Sequence, residues 1–88
     1  MNKIEVTSVK IRKINNSNTN VVGIASILLN HAFLVSDIKI IKNDSHIFCG
    51  MPSKKKNGKY IDICNPINDE TRKEIENNIL AEYIKMEV

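Results

Sequence analysis

Residues 21 to 29, "VVGIASILL", are apolar on both alternating phases. A strand of that kind must be covered twice, by a helix on one face and by a further layer or a second subunit on the other. The sequence does not say which cover lies on the second face. The flanking runs obey related patterns. From 4 to 14, "IEVTSVKIRKI" sets Ile4 and Val6 on one phase and Val9 and Ile11 on the other, with Lys10 and Arg12 between, so a bulge is expected near Thr7 and Ser8. "NNSNTN", residues 15 to 20, is polar throughout and reads as a loop.

Asn30 and His31 read as a tight turn into "AFLVSDIKII", a second strand with two partly apolar faces, in which Leu34, Ile38 and Ile40 share a phase. "KNDSH" is a turn, "IFCGM" a short fourth strand and "KYIDIC" a fifth. Pro66 ends the sheet pattern, since it has no N–H for a ladder. Asn68 then caps a helix that opens with Asp69 and Glu70, where the helix dipole favours negative charge. Ile75, Ile79, Leu80, Tyr83 and Ile84 form its apolar stripe to about Met86, and Glu74, Glu82 and Lys85 take the opposite side. The expected architecture is α+β, a five-stranded antiparallel sheet followed by a C-terminal helix packed on one face.

A chain of 88 residues supports a single domain, 1–88, with one modest core. Fifteen isoleucines supply much of it, and tryptophan is absent. A domain of this size gains from a partner chain, so a homodimer is a natural expectation. No run approaches 18 apolar residues and "MNKIEVTS" lacks the apolar centre of a signal peptide, so the expected location is cytoplasmic, without membrane insertion. In that compartment Cys49 and Cys64 are expected as free, buried thiols. Their placement about Asn57 would allow them to be cross-strand neighbours without a bond.

The net charge of +3 hides an asymmetry: residues 1–68 carry +6 and residues 69–88 carry −3. Four of the cations, Lys54, Lys55, Lys56 and Lys59, fall within six positions of "MPSKKKNGKYIDICNPI". Seven residues separate Gly50 from Gly58, and Gly58-Lys59 leads into a strand, so this is no Walker loop. It reads as a lysine-rich hairpin tip turning at Asn57-Gly58. Such a tip either grips a phosphate backbone or keeps a sheet edge soluble. Arg72 and Lys73 near the helix start oppose the dipole by a few tenths of a kcal/mol, a placement easier to understand facing an anion. Asp69 and Glu70 could equally neutralise them.

No other constellation carries chemistry. His31, His46, Cys49 and Cys64 lack the spacing of a zinc site, so no metal is expected. His46 and Cys49, three residues apart in a strand, point to opposite faces, and Asp37 and Asp62 are lone acids. Neither an enzyme, a cofactor nor a small-molecule substrate is expected.

"MPSKKKNGKYIDICNPIN" followed by "TRKEIENNILAEY" resembles the signature of the SpoVG family, bacterial stage V sporulation protein G or septation regulators. A Met-Pro-Ser-Lys hairpin, an Asn-Pro-Ile-Asn turn and a Thr-Arg helix start follow in fixed order, and the resemblance covers nearly the whole chain. It implies a dimeric α+β protein that binds DNA, and in some members RNA, and regulates septation, sporulation and gene expression. Carried onto this chain, it points to Lys54, Lys55, Lys56, Lys59, Arg72 and Lys73 as nucleic-acid contacts. Lys55 stands where many relatives carry arginine, and Asn65 stands where an Ala-His-Pro order is commoner. Lysine meets phosphate as a point charge and lacks the planar fork that reads guanine, so the loop is expected to grip backbone. The alternative is a protein-interaction module of the division or sporulation machinery, with lysines that only solubilise.

Overall fold

The computed structural model describes residues 3–15 and 18–87, the last of these by its backbone alone. The expected loop over 15–20 falls partly outside them, at Asn16 and Ser17. Four strands, β1 (Val6–Lys13), β2 (Val21–Leu29), β3 (Phe33–Asn43) and β4 (His46–Gly50), form one antiparallel sheet in the order β1-β2-β3-β4. Two further strands, β5 (Ser53–Lys56) and β6 (Lys59–Asp62), pair only with each other, and helix α1 (Asp69–Glu87) closes the described chain.

The α+β class is as expected, whereas the single five-stranded sheet is corrected to four strands plus a separate hairpin. The cause lies at Met51 and Pro52. Pro52 has no N–H to continue a ladder, and the chain leaves β4 there, so "KYID" pairs with "SKKK" instead of with "IFCG".

The doubly apolar strand is central, as its pattern requires, but only one of its faces is covered in the monomer. Ala25 and Ile27 of β2 join Val35, Ile38 and Ile40 of β3 and Cys49 of β4 against Ile75, Ile79 and Tyr83 of α1, all buried. Three register shifts interrupt the ladders, one of them between Val21 and Gly23 at the start of β2, and the other two set the phases. The β1–β2 register shifts between Val6 and Ser8, at the expected bulge, so that Val6, Val9 and Ile11 all reach the core. A second shift opposite Ala25 and Ile27 falls where Asp37 adopts φ 63°. It sets Val35, Ile38 and Ile40 on the helix side and leaves Leu34 exposed, correcting the expected grouping of Leu34 with Ile38 and Ile40.

The Asn30-His31 turn has φ of 53° and 57°, and it is tied to the start of β1. The Asn30 side chain accepts from Glu5 N–H at 2.7 Å and the Thr7 hydroxyl accepts from His31 N–H at 2.9 Å. At the same end of the core, Asn68 Oδ1 accepts from Thr71 N–H at 2.8 Å, the expected cap. Two helix positions differ from the periodicity. Ile84 is 58% exposed, on the rim of a recess that it borders with His46 and Ile47 of β4. Glu74 turns inward, and its Oε2 accepts the N–H of Val6 at 3.0 Å, satisfying an edge-strand donor.

Candidate nucleic-acid interface

The four lysines are strand residues, not the tip of a loop. Only Asn57 and Gly58 turn, with φ of 53° and 78°, the positive pair that a two-residue type I′ hairpin demands and that Asn-Gly supplies. The register pairs Lys56 with Lys59, Lys55 with Tyr60, Lys54 with Ile61 and Ser53 with Asp62. Because cross-strand partners share a face, Lys54, Lys56 and Lys59 project to one side of the ribbon and Lys55 with Tyr60 to the other. Ile63 N–H donates to Pro52 O at 2.7 Å and prolongs the ladder at its base.

All four ammonium groups are exposed, and none of them forms an ion pair among the described residues. Lys56 stands directly opposite Lys59, and like charges so placed destabilise a pair of strands. An isolated two-stranded ribbon is marginal to begin with. Such a ribbon gains cohesion from a polyanion laid along its three-lysine side.

Arg72 and Lys73 are likewise exposed and unpaired among the described residues, where the first turn of α1 passes into the second. Glu70, expected as a possible neutraliser, reaches Lys3 instead at 3.9 Å. The helix packs against β1 and β4, so the two cation sets sit on separate elements: the ribbon gathers four lysines, and the helix start presents two more cations apart from them.

Sequence reasoning missed a third group. Lys39 of β3 places its ammonium 5.9 Å from the centre of the Tyr60 ring, a cation–π contact that ties the ribbon to the sheet. Beside it, Arg12, Ile24, Asp37, Lys39 and Ser53 border a recess of about 270 Å³. The alternation of Tyr60 with lysines was visible. That Lys39 lies against it depends on where the ribbon folds back, which no local pattern encodes.

The thiols differ from one another. Cys49 is buried and pairs with Ile40, while Cys64 is exposed beyond the end of β6, so they are not cross-strand neighbours and only one is buried. Burial, reinforced by the Glu76 carboxylate, pushes the Cys49 thiol up to about 12, so it stays protonated and unreactive at neutral pH.

A small sheet with one helical cover and an extruded basic ribbon defines an α+β protein whose exposed cations are its most distinctive chemistry. The sequence model of the SpoVG family matches residues 4–85. The chain is 47% identical over 81 residues to the protein named "Putative septation protein SpoVG" of Phytoplasma australiense, spanning 91% of this chain and 83% of that one. It is 40% identical over 84 residues to the protein of the same name in Bacillus cytotoxicus, spanning 94% and 86%. The chain belongs to the SpoVG family.

Proposed function

We propose that this protein is a dimeric, cytoplasmic nucleic-acid-binding regulator, acting on DNA and in a second capacity on RNA, that influences septation and sporulation through gene expression. The observation that carries the reading is the ribbon itself, with Lys54, Lys56 and Lys59 unpaired on one side and Lys56 set against Lys59. Arg72 and Lys73 extend the contact from the helix start. Septation enters from the names of the relatives.

The test is titration of a labelled duplex at several salt concentrations. Eight lysines in a dimer contribute about −7 to the slope of log K against log salt when all of them engage duplex phosphates. Replacing Lys54, Lys55, Lys56 and Lys59 with alanine is expected to remove that share and most of the affinity. A wild-type slope near zero, or unchanged binding by the variant, overturns the reading.

A second reading rests on a different observation. Phe33, Leu34, Ile63 and Ile67 are 61% to 93% exposed, and Phe33 and Ile67 border an apolar groove at the start of α1 together with Ile4 and Met51. Exposed side chains of this kind suit a protein partner in the division or sporulation machinery. Recovery of division proteins after nuclease treatment would favour that reading, and loss of every partner would exclude it.

A further inference from the structure

The face of the sheet turned away from α1 has its own composition. Cross-strand register places Gly50, Lys39, Ile24 and Arg12 in one row across all four strands, and Lys10 and Ser26 pair in the next row. Arg12 and Lys39 thus flank Ile24 at about 10 Å from each other, and Lys10 follows Arg12 at about 7 Å along β1. Phe48, 39% exposed, is paired with Ile41 on the same face. The ribbon adds Tyr60, 70% exposed, with the Lys39 ammonium against its ring and Lys55 opposite.

We propose that this open face, together with the Tyr60 side of the ribbon, is a seat for single-stranded nucleic acid. The proposal rests on the nucleic-acid reading above and adds a surface and a substrate class to it. Charge complementarity selects the occupant: among the described residues of this surface the four cations Lys10, Arg12, Lys39 and Lys55 outnumber the two acids, Asp37 and, on the Tyr60 side of the ribbon, Asp62. Phosphates take the cations, while exposed Tyr60 offers a ring on which an unpaired base stacks. A duplex keeps its base faces stacked internally and cannot use that ring. The two sides of the ribbon therefore divide the work, three lysines for phosphate backbone of any kind and the tyrosine side for a strand whose bases are free.

The test measures anisotropy of a labelled oligouridylate and of a labelled mixed-sequence duplex with the full chain. Tyr60→Ala is expected to weaken oligouridylate binding about 5- to 100-fold, with duplex affinity held within about twofold, and Tyr60→Phe to retain both. The Arg12→Ala/Lys39→Ala double variant, which leaves the ribbon's sequence intact, is expected to reduce the magnitude of the single-strand salt slope by about 1.4 for each protomer's face that a strand occupies. Duplex binding that depends on the ribbon lysines, with oligouridylate binding indifferent to Tyr60, Arg12 and Lys39, overturns this inference alone. Binding of neither probe by the wild type overturns the proposed function with it. Sedimentation of the same variants covers the other occupant: a shift from dimer to monomer assigns the face to a second copy of the chain and also overturns the proposal.

Discussion

Cys49 couples a single side chain to the stability of the whole core. Its thiol is pushed up to about 12 by burial among apolar neighbours and by Glu76, against an unfolded value near 9. Between these values the native state keeps a proton that the unfolded chain has lost, so the stabilisation is complete below about pH 9 and falls as pH rises towards 12. The limiting slope is about 1.4 kcal/mol per pH unit. Urea midpoints across that range should fall less steeply with pH in Cys49→Ala, from a lower starting stability, than in the wild type. Thiol titration of the native protein should label Cys64 at once and Cys49 only on unfolding. Of the two cysteines, the expectation of burial held for one. Cys64 was misjudged because the ladder ends at Asp62, two residues sooner than its alternation with Ile61 and Ile63 suggested. Asn68 was fully legible, since a cap is a local device. Asn68→Ala should cost about 1 kcal/mol, measured by chemical denaturation.

Among the elements, strands declared by period were read correctly where the backbone is regular, and the bulge near Thr7 announced itself through a visible change of phase. The irregularity at Asp37 did not, because both phases of β3 carry apolar residues and no change of pattern marks the slip. The sixth strand was hidden for another reason. "SKKK" has no apolar residue and no β preference, and it is a strand only because Asn57-Gly58 folds it onto "KYID". The position that best separates stability from binding is Lys56. Lys56→Glu replaces a like-charge pair with an attractive one across from Lys59, so thermal stability should be kept or rise by a few tenths of a kcal/mol. Nucleic-acid affinity should fall at least tenfold in the same protein, as two charges change sign in a dimer. Calorimetry and a binding isotherm on one preparation check both halves, and reduced stability with intact binding would contradict the like-charge argument.

Across the whole molecule the charge asymmetry of the sequence becomes a layered one. The segment carrying −3 is almost wholly α1, and the segment carrying +6 builds the sheet and the ribbon, so the open face and ribbon are basic while the helix layer is acidic. Arg72 and Lys73 are cations on the acidic layer, whose carboxylates repel an approaching polyanion. The salt slope resolves their share from that of the ribbon. The three-lysine sides of two ribbons contribute about −5.4 on duplex DNA, about −7 when both copies of Lys55 also engage, and four helix-start cations add about −3.6 when they too meet phosphate. Arg72→Ala/Lys73→Ala is therefore expected to reduce the magnitude of the wild-type slope by about 3.6 with no loss of fold, since both side chains are exposed and touch no partner among the described residues. An unchanged slope would confine the phosphate contacts to the ribbon, and the helix start would then have to be explained without nucleic acid.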